Sequence, residues 1–363
     1  MNDIVVAMDR PWIEAGLKWS SLTRRDPKAL LVQRVARLRS KKGLHQSYLK
    51  HIIGSKLFEG YVKPILTGVN VPHISGTQIG NFKFSLPSLP IQRKIAAVLS
   101  AYDDLIENNN RRIALLEKMA EELYREWFVR LRFPGHEKVK IVKGVPEGWE
   151  IRAMSDIAYV IDCLHTKKPD HTDSGEGWLL QLENIKENGR FSKSFKYMIS
   201  QADYEEWTKN IEVQEGDCLI TNVGRIAAVA QIPRGVKAAL GRNMTAIRPR
   251  DIPASFLIQY LLSPHMREEV LKKQDLGAIM DALNVRAINK LAIIVPGEDL
   301  LDKFDSTVGN IRVDIWNLIE RNELLSTSRD RLLSRLMSGK IDVENLDIRF
   351  PASMKEEEVT AHA

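Results

Sequence analysis

The chain has 363 residues, with 53 Lys and Arg against 47 Asp and Glu and a formal net charge of +6 at pH 7. That length accommodates two or three domains with cores of their own, and 44% hydrophobic with 28% charged residues excludes wholesale disorder. No apolar run approaches the roughly 20 residues that cross a bilayer, no signal peptide opens the chain, and two cysteines are too few for a disulfide framework, so a reduced, cytoplasmic setting is expected.

Residues 3–8 and 30–38, rich in Val, Leu and Ile, predict strands on either side of the polar loop Ser20–Lys28. Tyr48–Tyr61 has helical periodicity, and Val69–Pro87 mixes short turns with the apolar run Phe82–Leu86. Pro87 and Pro90 then open a long helix, 89–132. Its apolar positions step by four and three through Ile95, Val98, Tyr102, Leu105, Asn109, Leu116, Met119 and Leu123, a heptad seam with Asn109 and Arg112 as polar interruptions. Pro, Gly and charge mark 133–148 as a linker. The next domain, 149–298, has strand-like runs at Trp178–Leu182, Asp217–Asn222, Ala227–Ile232 and Met244–Arg248, and helices at Ser255–Leu262 and Met266–Lys273. A second long helix, 299–341, repeats the seam at Phe304, Val308, Ile311, Ile315, Leu318, Asn322, Leu325, Leu332 and Leu336, interrupted by Asn322 and Arg329. The two seams either pair with each other as an antiparallel rod of roughly 55–60 Å or pack on separate globular cores. The tail, 342–363, ends in a charged stretch expected to be disordered.

One pattern occurs twice. Asp3-Ile4-Val5-Val6 is echoed by Asp217-Cys218-Leu219-Ile220, and Ile79–Pro87 by Ile288–Pro296. Each copy runs into a long helix, with Leu105-Ile106-Glu107-Asn108-Asn109 in one and Leu318-Ile319-Glu320-Arg321-Asn322 in the other. The offset, 214 at the first anchor and 209 at the second, is too long for a solenoid and describes a duplicated domain-plus-helix module. The fold class expected is α+β. Trp149–Gly216 precedes the second anchor and has no counterpart before Asp3, so domain 1–88 is expected to expose strand edges.

Four further motifs accompany the duplication: Pro146-Glu147-Gly148-Trp149, Gly216-Asp217-Cys218-Leu219-Ile220 with Gly224-Arg225-Ile226, Leu89-Pro90-Ile91-Gln92-Arg93-Lys94-Ile95, and Leu332–Ile341. Together they resemble the DNA-specificity subunit of type I restriction–modification systems, over nearly all of the chain up to Ile341. The resemblance implies two target-recognition domains, each reading half of a split site in double-stranded DNA. It implies an antiparallel coiled coil as spacer, and helices that dock methyltransferase subunits and then motor-nuclease (restriction) subunits. The first domain, 1–88, is a truncated copy in this reading, and a scaffold that assembles with partners without reading sequence is the alternative.

Phosphate contacts need Lys, Arg and small polar groups, and base edges are read mainly by Arg, Lys, Asn and Gln. The candidates are Lys167 and Lys168, in a polar loop after Cys163, and Arg190, Lys193 and Lys196 around Phe191 and Phe195. Asn222 and Arg225 lie in a glycine turn after the Asp217–Ile220 strand, and Arg242, Asn284 and Arg286 lie in further turns. The competing reading of each is a solvated surface charge, or for Arg242 a structural role beside the following strand. No phosphate-binding glycine loop, metal-spaced histidines or nucleophile elbow is present in the sequence, so no cofactor, no metal and no independent catalysis is expected.

Overall fold

The computed structural model describes residues 3–354 apart from 14–15, 24–25, 27–29, 67–71, 143 and 276–281. Parts of the Ser20–Lys28 loop and of the Val69–Pro87 stretch, and the tail from 355, therefore lie outside the described residues. The first elements are β1 (Ile4–Ala7), β2 (Trp12–Ile13), β3 (Gly16–Leu17), β4 (Trp19–Ser21) and β5 (Val35–Leu38). Helices α1 (Gln46–Ile53), α2 (Lys56–Ile65), α3 (Gly76–Gly80) and α4 (Leu89–Tyr124) follow, α4 ending in a π turn, Arg125–Val129. Then come β6 (Ile141–Val142), β7 (Val145–Pro146), β8 (Glu150–Ala153), α5 (Met154–Ile157) and β9 (Ala158–Asp162). Next are β10 (Gly177–Trp178), β11 (Met198–Ile199), α6 (Gln201–Trp207), β12 (Glu212–Val213), β13 (Cys218–Thr221), β14 (Val229–Gln231), β15 (Ala238–Ala239) and β16 (Met244–Pro249). The chain closes with α7 (Ala254–Leu262), α8 (Pro264–Lys273), α9 (Val285–Asn289), β17 (Ala292–Val295) and α10 (Glu298–Met337).

These elements form two compact units. Unit 1 is 1–111 with 318–363, and unit 2 is 112–317, so each unit takes a part of both long helices.

In unit 1, β1 is central in the order β4-β1-β5, all antiparallel. Ile4 and Val6 point into a core with Leu49, Phe58 and Val62, which amphipathic α1 and α2 lay over the sheet. Ser55 caps α2 by accepting from Phe58 N, and Ser75 and Gln78 close a capping box on α3.

Unit 2 repeats that design in register. Its sheet runs β14-β13-β16-β9, and Cys218 faces Gln231 and Ile247 as Ile4 faces Ser21 and Leu38. Asp217 and Arg248 form an ion pair that Asp3 and Arg39 form in unit 1. Ser263 and Asn284 cap α8 and α9 where Ser55 and Ser75 cap α2 and α3. The duplication read from short anchors is thus a duplication of strand pairing and capping. Unit 2 adds β8, α5 and β9, with β8 paired to β17 and β9 to β16.

Within unit 1 the long helices meet antiparallel. Asn109 Nδ2 donates to Asn322 Oδ1 at 2.8 Å, Asn322 Nδ2 to Asn110 Oδ1 at 2.9 Å, and Arg329 Nη1 to Asp103 Oδ1 at 2.8 Å. In α10 Phe304, Val308, Ile315, Leu318 and Leu336 are buried, Ile311, Asn322, Leu325 and Leu332 are half-buried, and Leu333 is buried beside Leu332. In α4 burial follows a different frame. Ile95 and Asn109 are buried, but Leu105 and Met119 are 52% and 57% exposed, and Leu99, Ile113 and Ala120 are buried instead of Val98, Arg112 and Met119. One of the two heptad positions therefore falls one residue later than the periodicity placed it. Adjacent apolar pairs such as Val98-Leu99, Leu105-Ile106 and Met119-Ala120 satisfy either frame, so spacing alone does not choose between them.

Two boundary expectations are corrected. Residues 133–148 are more than a linker: Phe133 is buried with its ring 5.1 Å from that of Trp149, and β6 and β7 form a small ribbon. Nor is the described part of the tail free, because Val343 and Met354 are buried in one cluster with Ile95, Leu99 and Leu333. Apolar residues at 343, 348, 350 and 354 give that stretch something to bury, which the charged end masked in a composition reading.

A direct expectation concerns the asparagine pair. Replacing Asn109 alone by Leu leaves Asn322 Oδ1 without its donor and should lower the melting temperature, whereas Asn109→Leu with Asn322→Leu should raise it above the parent. Thermal unfolding of the three variants checks this. A double variant less stable than either single one would overturn the pair's assignment as a polar break in an apolar seam.

Candidate nucleic-acid interface

All ten candidate residues lie in unit 2, and the structure gathers some of them and separates the rest. The gathering point is the turn from Gln181 to Ile185, where Gln181 N donates to Asn184 Oδ1 at 2.8 Å and closes a single 3-10 turn. Buried Asn184 donates back to the carbonyl of Ser192 at 2.9 Å, which ties this turn to the next loop.

Lys168 reaches the turn from one side. Its ammonium donates to Gln181 Oε1 at 2.7 Å and stands 3.7 Å from the centre of the Tyr197 ring, a cation–π geometry. Burial lowers its pKa, with Arg242 adding to the depression and Glu183 opposing it. Arg225 reaches the turn from another side, donating Nη2 to the carbonyls of Leu182 at 3.1 Å and Ile185 at 2.6 Å. Gly224, at φ +80, gives the chain the left-handed step that the Asn222–Ala228 turn requires. Lys167 and Arg242 are exposed. Lys168 and Arg225 thus meet at one turn, and Arg242 is close enough to Lys168 to act on its charge.

The other candidates are spent differently. Asn222 donates to Thr245 Oγ1 at 3.0 Å and to the carbonyl of Leu283 at 2.8 Å, pinning β13 to the segment before α9. Asn284 caps α9, accepting from Ala287 N at 2.8 Å and donating to Asp275 Oδ2 at 2.6 Å. Lys193 donates to the carbonyl of Arg234 at 3.3 Å. Lys196 and Arg286 are exposed.

Arg190 turns toward α4. Its Nη2 donates to Glu117 Oε2 at 2.8 Å, its Nε to Oε1, and Asn188 Nδ2 adds a bond at 3.2 Å. That carboxylate raises the Arg190 pKa despite burial. The pair lies on the wall of a cleft of about 940 Å³, whose other lining includes Glu121, Glu122, Lys186, Arg225 and Arg312. Arg312, 5% exposed, donates to Gln231 Oε1 at 2.9 Å and to the carbonyl of Gly189 at 3.3 Å, and burial lowers its pKa to about 10. The helix glutamates of this wall are claimed by cations of the same lining, Glu117 by Arg190 and Glu121 and Glu122 by Arg125.

Sequence spacing gave no metal site, yet Asp162, Cys163 and His165 place one potential donor each within 4.8 Å of one another. Burial pushes the Cys163 thiol up, and His165 already bonds Asp162 Oδ2 through Nε2 at 2.8 Å. Three donors stop one short of a closed tetrahedral zinc set, and the imidazole nitrogen among them already has a carboxylate partner.

Sequence reasoning missed Gln181, Tyr197 and Glu117, the residues that aim Lys168 and Arg190. They lie 13, 29 and 73 positions from the cations they hold, and no local pattern connects them.

A family model described as the type I restriction modification DNA specificity domain matches residues 3–118. The type I restriction enzyme MjaIX specificity subunit of Methanocaldococcus jannaschii is 27% identical over 316 residues, spanning 84% of this chain and 71% of that protein. The MjaVIII specificity subunit of the same organism is 24% identical over 309 residues, spanning 80% and 70%. Among solved structures, the S subunit of the type I restriction–modification system from M. genitalium shares the fold, with a TM-score of 0.54 at 14% identity over 93% of this chain and 83% of that one.

Proposed function

We propose that this chain, a relative of the type I restriction–modification specificity subunits over most of its length, reads DNA sequence through unit 2. The carrying observation is the 316-residue match to a specificity subunit. The two cations held at the 181–185 turn, Lys168 and Arg225, agree with it. Lys167, next to Lys168 in the chain, and Arg242 are exposed and would hold phosphates. Lys168, fixed by Gln181 and Tyr197, would present a preordered ammonium to a phosphate or a base edge. Arg190, Asn222 and Asn284 hold the reader together in this proposal and make no DNA contact.

The chain would not catalyse. Methyltransferase subunits would dock on the long helices α4 and α10, and restriction subunits would join through them, so that its part is positioning.

The test is selection from a randomised duplex pool by the chain purified with its methyltransferase, at about 150 mM salt because affinity without a salt concentration is uninterpretable. Enrichment of a defined sequence is expected, and a complex that enriches nothing would refute sequence reading. Lys167→Ala with Arg242→Ala should weaken binding to every duplex alike and reduce the slope of log K against log salt by about 1 for each phosphate no longer neutralised. An unchanged slope would remove these residues from the interface.

A further inference from the structure

The half-buried side chain of Lys168 is held by groups that are themselves fixed. Its ammonium donates to Gln181 Oε1 at 2.7 Å and stands 3.7 Å from the centre of the Tyr197 ring. Gln181 cannot turn its amide over, because Nε2 donates to the carbonyls of Leu179 at 3.0 Å and Leu180 at 2.8 Å. Tyr197 is anchored through its hydroxyl, which donates to the carbonyl of Pro169 at 2.8 Å. A lysine that neutralises a phosphate needs none of this, since a point charge on a loose stem finds its partner over a wide range of positions. A fixed donor suits a ligand whose acceptors are fixed too.

The surroundings of the ammonium decide between phosphate and base. Burial and Arg242 disfavour its charge, and Glu183, exposed in the same turn as Gln181, favours it. A carboxylate beside the cation offsets its charge and repels a phosphate. It is equally out of place in the narrow minor groove of A·T runs, whose negative potential draws cations alone. The major groove remains. An ammonium has three donors and no acceptor. Guanine presents two acceptors there, N7 and O6, whereas adenine sets an amino donor next to its N7 and thymine offers O4 alone. Cytosine, across the pair from guanine, presents the N4 amino group, which a carboxylate accepts. An ammonium and a carboxylate displayed together are therefore the complement of one G·C pair.

We propose that Lys168 and Glu183 read a single G·C pair from the major groove, the ammonium held by Gln181 and Tyr197 donating to guanine N7 and O6 and the carboxylate accepting from cytosine N4. The proposal rests on unit 2 being a reader of DNA sequence.

The test is selection from the randomised duplex pool, at about 150 mM salt, by the parent chain purified with its methyltransferase and by its variants Lys168→Met and Glu183→Ala. Met keeps the apolar stem of the lysine, and Glu183 is exposed. The parent should select G·C at one position of its site. Lys168→Met should cut the preference for that pair at least about tenfold and leave the other positions as they were, and those retained preferences show that the domain still folds. Glu183→Ala should relax the same position, and the slope of log K against log salt should stay that of the parent in both variants. If Lys168→Met loses the fold, Glu183→Ala still decides, since it must relax a G·C pair and no other. A loss shared by all duplexes, with the slope reduced by about 1, would make Lys168 a phosphate contact and overturn the proposal. Relaxation at an A·T pair, or at different positions in the two variants, would also overturn it. A parent that selects a site which neither variant alters removes this proposal alone, whereas a parent that selects nothing removes the reading of DNA by unit 2 and the proposal with it.

Discussion

Asp217→Ala should destabilise unit 2 by about 3–5 kcal/mol, whereas Asp3→Ala at the equivalent place in unit 1 should cost about 1 kcal/mol or less. The two carboxylates make the same ion pair in different surroundings. Asp217 is 1% exposed and accepts from Arg248 Nε and Nη2, both at 2.7 Å, and from Gln214 N at 2.9 Å. Its removal leaves the Arg248 guanidinium, 28% exposed, without its counter-charge beside a buried sheet. Asp3 pairs with Arg39, whose side chain is 59% exposed and recovers water when the carboxylate is removed. Urea unfolding followed by probes local to each unit separates the two effects. Equal losses from the two substitutions would show that burial does not set the worth of this pair.

Acidification should unfold unit 1 in a window set by His51. The imidazole is buried against Ser100 Oγ at 3.1 Å. Burial holds its pKa down to about 3, with Lys50 and Arg329 helping, while Asp103 and the backbone carbonyl of Ala96 oppose. The unfolded chain takes up a proton near 6.5 and the folded one does not, so the unfolded state binds more protons between about 3 and 6.5 and stability falls as pH falls through that window. The slope contributed is at most about 1.4 kcal/mol per pH unit, and none of it operates above 6.5. Asp103 acts in the same direction at lower pH: burial resists its ionisation, but Lys50, His51 and Arg329 more than offset this and hold its pKa below 3.8. His51→Gln keeps a group able to bond Ser100 and should flatten the curve between pH 6.5 and about 4, leaving the carboxylate limb in place. An unchanged slope in that variant would assign the acid sensitivity elsewhere.

The match of unit 1 to unit 2 was legible in the sequence where strand identity is local: an acid followed by an apolar run marks β1 and β13. The matching caps Ser55, Ser75, Ser263 and Asn284 came only with the structure, since Tyr48–Tyr61 reads as one helix and Asn284 as a turn residue in sequence. In α10 Phe304 and Val308 have no apolar neighbour in sequence, whereas Ile315 and Leu318 are followed by Trp316 and Ile319 and only their burial singles them out. In α4, paired apolar neighbours admit two frames, and only packing, which buries Leu99 with Leu333 and Leu336 and Ala120 with Phe304 and Val308, selects one.

The candidate interface was legible only as a set of residue types. Lysine and arginine look alike in a sequence whether a carboxylate claims them or solvent does. Glu117 takes Arg190, the carbonyls of Leu182 and Ile185 take Arg225, and Gln181 with Tyr197 fixes Lys168. Each of those partners is brought near by chain folding across 13 to 73 positions, a distance over which no periodicity carries information. The sequence by itself determined the α+β duplication, the two long helices and the equivalent places of Asn109 and Asn322 in the two copies, since these follow from short-range patterns repeated. The tertiary structure decided which cations are committed to structure and which strand edges are covered, because both depend on what a distant segment places alongside.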